Sequence, residues 1–169
     1  MPWARAGVRS VAGMIRAAAL SPTGVRAVFE ARGDIFTVPT DKGDVRNLTR
    51  SPGAHDRNPA WAPDGSRIAW FSDAVGEYQL MIGDQTGLTA PRAIALPTSA
   101  YFSGIVWSPD GKRMALTDNH LNLWLMDVAT GQAKKVDADT YADPGRAMEP
   151  AWSPDGKWLA YSRSSDSHM

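Results

Sequence analysis

The sequence predicts an all-β chain built from the four-stranded antiparallel blades of a β-propeller, and three observations carry that prediction. First, a strand–turn–strand phrase recurs, as AWAPDGSRIAWF at 60–71, VWSPDGKRMALT at 106–117 and AWSPDGKWLAYS at 151–162, with a weaker copy, LSPTGVRAVF, at 20–29. Second, the glycines that close these turns, Gly24, Gly65, Gly111 and Gly156, stand 41, 46 and 45 residues apart, and a period of roughly 40 to 50 residues marks stacked or radially arrayed units. Third, each complete unit adds a third and a fourth short run, and four antiparallel strands per repeat of this length make a propeller blade. A helical repeat needs apolar residues at 3.6 spacing over ten or more positions, and only the first nineteen residues can be stretched to fit that.

Taken in order, residues 1–16 read as the tail of a preceding repeat or as a leader. They carry Arg5, Arg9 and Arg16 and no acid. An arginine in every short apolar run leaves no continuous apolar segment for a secretory signal, while the composition leaves an organelle transit peptide open. The propeller region spans 17–169, with repeats at about 17–56, 57–102, 103–148 and 149–169. Its first strand is expected at Ala17–Leu20. In each turn proline fixes φ at the first corner and glycine accepts positive φ at the close. After the turn, large side chains alternate with alanine: Ile68, Ala69, Trp70; Met114, Ala115, Leu116; Leu159, Ala160, Tyr161. That period of two predicts a strand with one face for large residues and one that needs small ones.

Third strands follow as DIFTVP at 34–39, QLMIGD at 79–84 and NLWLMD at 122–127. Fourth runs follow as VRNLT at 45–49 and AKKV at 133–136. Trp61, Trp107 and Trp152 share one position, four before the turn glycine, where the weakest copy has Leu20. A fixed aromatic per repeat suits packing between neighbouring blades. The last unit stops before its third strand, so the expectation is about three and a half blades of an incomplete propeller, cut off mid-repeat, with unpaired strand edges.

Eighteen basic and eighteen acidic side chains cancel, which argues against a nucleic-acid or anionic-membrane surface. The absence of cysteine excludes disulfides, a thiol nucleophile and a zinc–thiolate site. No apolar run approaches the roughly 20 residues that span a bilayer. The compartment stays open, with the cytoplasm favoured.

The run from Ser21 to Ile82, and within it FEARGDIFTVP and KGDVRNLT, resembles the propeller region of tricorn-type proteases, which are large self-compartmentalising serine peptidases. The Pro-Asp-Gly turns are less specific; they also occur in the TolB family and in the propellers of prolyl-oligopeptidase-like enzymes. The resemblance extends more loosely through VWSPDGKRMALTDNHLNLWLMDVATGQ and EPAWSPDGKWLAYSR. It implies a division of labour: propellers filter and channel short peptides, while a PDZ-like module and a serine-peptidase domain lie elsewhere in the polypeptide. The resemblance covers none of the catalytic portion, so no nucleophile, base or oxyanion donor is carried over.

An independent search for chemistry yields no catalytic, cofactor-binding or metal-binding assignment. His55 lies in the polar connection SPGAHDRNP and His120 in a turn before a strand, both read as surface-loop residues. Asp166, Ser167 and His168 are consecutive and cannot converge on one reacting atom. No Gly-x-Ser-x-Gly elbow or phosphate loop occurs. Asp137, Asp139 and Asp143 offer oxygens to calcium but lack the remaining ligands, and read as an acidic solvated loop. Arg32-Gly33-Asp34 reads as a turn, and the sequon at Asn47 carries no prediction.

The leading expectation is a non-catalytic propeller segment of a tricorn-like serine peptidase that filters or channels peptide substrates. Its partners are peptides, the remaining blades and the catalytic domain of a parent chain, and a homo-oligomer is open; no nucleic acid, membrane or cofactor is expected. The alternative is a TolB-like propeller that binds a protein partner without enzyme activity. A truncated product without function is the third reading.

Overall fold

The computed structural model describes residues 12–140 and 148–164; Arg5, Arg9, Asp143, Asp166, Ser167 and His168 lie outside them. The described residues form one 3-10 turn, Ala12–Met14, and fourteen strands. The strands are β1 (Ile15–Leu20), β2 (Arg26–Ala31), β3 (Asp34–Pro39), β4 (Arg46–Asn47), β5 (Arg57–Trp61), β6 (Arg67–Ser72), β7 (Gln79–Asp84), β8 (Arg92–Ala95), β9 (Phe102–Trp107), β10 (Arg113–Asp118), β11 (Asn122–Asp127), β12 (Ala133–Ala138), β13 (Ala151–Trp152) and β14 (Leu159–Ala160). Three four-stranded sheets run β1-β2-β3-β4, β5-β6-β7-β8 and β9-β10-β11-β12, and β13 pairs β14 in a fourth. Every pairing is antiparallel. The fold is an all-β, unclosed propeller of consecutive blades, here blades 1 to 4.

The Pro-Asp-Gly phrase works as a hairpin loop. In blade 3 the Gly111 amide donates to Ser108 O at 2.8 Å, and Gly111 has φ 66°, a type I turn continued by one left-handed residue. The turn is also tied by its own side chains: Asp110 accepts from the Ser108 hydroxyl at 2.6 Å and from the Lys112 amide at 3.0 Å. Blade 4 repeats both bonds through Asp155. Blade 1 has Thr23 where the others have aspartate, and the carboxylate bonds give way to a Ser21–Thr23 hydroxyl contact at 3.3 Å, while the Arg26 amide still donates to the Ser21 hydroxyl at 3.2 Å.

The alternation after the turn sorts residues between two interfaces. Ile68 and Trp70 of β6 pack back onto Val28 and Ile35 of blade 1. Ala69 and Phe71, on the other face, meet Met114 and Leu116 of blade 3. Ala115 in turn lies with Trp152 and Leu159 of blade 4. The large residues therefore face the preceding blade, and the alanine makes room for the following one. Trp70 also needs Gly83 on the paired strand: a Cβ there would lie 2.8 Å from its ring.

The repeated tryptophan links blades as expected. Trp61 Nε1 donates to Ala19 O, Trp107 Nε1 to Ala60 O and Trp152 Nε1 to Val106 O, each at 3.2 Å. Trp61 and Trp107 are buried, while Trp152 is half-covered. An arginine of the preceding blade's second strand lies over the ring: Arg67 over Trp107 at 5.3 Å and Arg113 over Trp152 at 4.9 Å. Leu20, without an indole, is 67% exposed.

Three details differ from the sequence reading. β1 starts at Ile15, two residues before Ala17, because the pairing with β2 continues through a bulge at Arg16 to Ile15↔Ala31. β4 is shortened to Arg46–Asn47, since Asn47 Oδ1 turns the chain by accepting from the Thr49 and Arg50 amides. In blade 2 the fourth strand is β8, following Pro91.

Candidate functional site

The first strands β1, β5 and β9 lie side by side and are the inner edge strands of their sheets. At the start of β5, on the end of the stack away from the Pro-Asp-Gly turns, sits Arg57. Its pairing with β6 steps from Arg57↔Phe71 to Ala60↔Ala69, so the strand bulges at Asn58 and Pro59. Asn58 has φ 53°, a left-handed conformation that asparagine tolerates. The bulge is held by the Asn58 amide, which donates to Glu30 Oε2 of blade 1 at 2.8 Å.

That distortion turns the Arg57 side chain between blades 2 and 3, where it is only 2% exposed. Its Nη1 donates to Asn58 Oδ1 at 2.7 Å and to Phe102 O, at the start of β9, at 2.5 Å. Its Cζ lies 3.6 Å from the centroid of Tyr101, 4.3 Å from that of Tyr78 and 5.3 Å from that of Phe71. Tyr78 and Tyr101 meet edge to face. The rings supply quadrupole attraction to the cation, while Nε and Nη2 stay buried without a hydrogen-bond partner.

His55, read from sequence as a loop histidine, is exposed as expected but joins this cluster: its Nδ1 lies 3.0 Å from the Tyr78 hydroxyl, and its amide donates to Asp73 Oδ1 at 2.6 Å. Asp56, buried beside it, accepts from the Ser51 hydroxyl at 2.5 Å. His120 stands apart in the β10–β11 turn, its amide donating to buried Asp118. Asp118 also accepts from Asn122 and from the indole of Trp124.

Asp137 and Asp139 do not converge as ligands. Asp137 accepts from the Tyr161 hydroxyl at 2.9 Å and pairs with Arg163, and donation from the Ala138 amide and the Tyr161 hydroxyl holds its carboxyl below the ordinary range. Asp139, buried rather than solvated, accepts from the Ser164 amide at 2.6 Å. Among the described residues no three His, Asp or Glu side chains are placed to hold a metal ion. Arg32 and Gly33 form the β2–β3 turn, both with positive φ.

The Arg57 cluster was not found from sequence. Arg57 sits four residues before Trp61, as Ser103 does before Trp107, which places it on the inner strand. Its aromatic neighbours come from Phe71, Tyr78 and Tyr101, and no local pattern predicts their convergence.

Comparison with known proteins places the fold. The family described as the tricorn protease second beta propeller domain matches residues 15–169. The tricorn protease homolog 1 of Streptomyces coelicolor is 33% identical over 137 residues, covering 78% of this chain and 12% of that protein. The chain thus spans about an eighth of that relative's length. Among solved structures, the tricorn protease superposes with a TM-score of 0.71 at 14% identity, covering 86% of this chain and 14% of that one. TolB from Acinetobacter baumannii does so at 0.67 and 22% identity, covering 89% and 38%. At such identities the structural likeness concerns the fold alone. The match over nearly all of the sequence, together with the blade architecture, shows that this chain belongs to the family of tricorn protease second β-propeller domains.

Proposed function

We propose that this propeller guides short peptides toward a catalytic portion carried elsewhere in a parent peptidase, and contributes no catalytic group itself. The observation that carries the reading is the arrangement of β1, β5 and β9 as inner edge strands, each paired to its own sheet on one side only. The Ala19, Ala60, Phe102 and Val106 carbonyls are taken by indole and guanidinium donors, and the other edge groups of such strands can pair with an extended peptide through its backbone whatever its side chains. Membership of a propeller family named from a protease supplies the class of ligand. Stacked blades tied by indole bonds give such a passage fixed walls.

The test uses the purified chain with a set of two- to six-residue peptides, following backbone amide resonances. Weak saturable shifts confined to β1, β5 and β9, with no hydrolysis, are expected. Hydrolysis that persists through repurification and is abolished by replacing one of the chain's own serines would overturn the reading.

A further inference from the structure

The guanidinium of Arg57 is used unevenly. Its Nη1 serves Asn58 and Phe102, whereas Nε and Nη2 are buried with no partner. Those two nitrogens share one edge of the guanidinium plane, and their parallel N–H bonds form the fork that takes both oxygens of a carboxylate. The unpartnered donors thus make up a whole recognition edge. Arg26 provides the contrast: its Nε is also unpartnered, but its Nη2 already donates to Thr37 and Asp44, so no free fork remains.

The acids around Arg57 are committed to other donors: Glu30 to the Asn58 amide, Asp56 to Ser51 and Asp73 to the His55 amide. Among the described residues the ion pairs are Arg67–Asp64 and Arg163–Asp137, and neither involves Arg57. A buried cation without a counter-ion is costly, and the aromatic faces offset only part of that cost. Tyr101 is the ring nearest the guanidinium, its centroid 3.6 Å from Cζ, and is itself 48% exposed.

We propose that Arg57 binds a carboxylate of a peptide, from its C-terminus or an acidic side chain, with Tyr101 as the ring that moves aside. The proposal rests on the peptide-guiding reading for its source of carboxylate, while the fork itself stands on the geometry of Arg57. The position at the start of an inner strand sets such an anchor beside the backbone edges of β5 and β9.

The experiment follows the Arg57 Nε–H resonance of the 15N-labelled chain by NMR during titration with acetate, trialanine, trialanine amide and N-acetyl-Ala-Glu-Ala amide. A saturable downfield shift is expected with acetate and with peptides that carry a carboxylate, and none with trialanine amide. Trialanine and the glutamate peptide tell the C-terminal source from the side-chain source. Arg57→Lys keeps the charge without the fork and weakens the binding about ten- to a hundredfold, while Tyr101→Ala leaves the guanidinium in place and tightens it. Dispersed indole resonances report in each case that the blades are folded. No shift with any carboxylate in a folded chain would overturn the proposal. Peptide binding unchanged in Arg57→Lys would overturn this site and leave the peptide-guiding reading standing. Acetate binding without peptide binding would sustain the fork and overturn its assignment to peptides.

Discussion

Trp107 does three things with one side chain: it fills the blade 2–blade 3 core, donates to Ala60 O and carries Arg67 over its ring. Removing it loses the packed ring and leaves a cavity, so Trp107→Ala is expected to destabilise by about 3 to 5 kcal/mol in urea unfolding. Trp107→Phe keeps most of the ring and gives up the indole bond, for a loss nearer to about 1 kcal/mol. The tryptophan was legible in the sequence because it recurs at a fixed distance from a turn. Arg57 was not, because its environment is assembled from residues up to 45 positions apart, and a single arginine before a strand looks the same whether it is solvated or buried.

At the scale of elements, the turns were the most readable part, since Pro-Asp-Gly encodes its own φ angles. Gly111→Ala puts a Cβ into a left-handed position and 3.4 Å from Arg67 Nη2. It is expected to cost about 1 to 2 kcal/mol, measured by thermal unfolding. The turns are also where acid acts. Donation from the Ser108 hydroxyl and the Lys112 amide lowers the pKa of Asp110, and the Thr130 amide and hydroxyl lower that of Asp127. Burial opposes ionisation of Asp84, but the hydroxyls and amides of Thr86 and Thr89 outweigh it and hold the carboxyl far below its usual range. A carboxyl whose folded pKa is depressed adds stability above its unfolded pKa of about 3.9 and loses it as pH falls toward the folded value. Stability is therefore expected to stay level from pH 7 to about 5 and to fall below about 4, and Asp84→Asn to flatten that fall. The short fourth strands were harder to read. β4 is curtailed by a side-chain turn at Asn47, and β8 is separated from β7 by the mixed run QTGLTAP at 85–91, whose one large apolar residue, Leu88, is exposed.

For the whole molecule, the alternation at Ile68, Ala69 and Trp70 predicted two unlike faces, and the structure sets the face of Ile68 and Trp70 against the preceding blade and that of Ala69 against the following one, because a sheet stacked between two others must divide its faces. Among the described residues, the face of blade 1 turned away from blade 2 has Ile15, Phe29, Ala31, Phe36, Val38 and Val45 lining a hollow of about 470 Å³. An apolar face of this kind is expected to bind the dye ANS in the native state, and Phe36→Glu to reduce that fluorescence without changing the far-ultraviolet spectrum. An unaltered signal in Phe36→Glu would place the dye elsewhere.

The indole bonds, finally, all run one way: each tryptophan reaches back to a carbonyl on the blade before it. Chains leave the ribosome from the N-terminus, at about 5 to 20 residues per second, so every acceptor carbonyl is made before the donor that will claim it. Ala19 is waiting when Trp61 emerges, Ala60 when Trp107 does and Val106 when Trp152 does. These three rungs can be fastened in the order of synthesis, whereas the arginine bonds run the other way: Arg57 must wait for Phe102 O and Arg113 for Gly156 O.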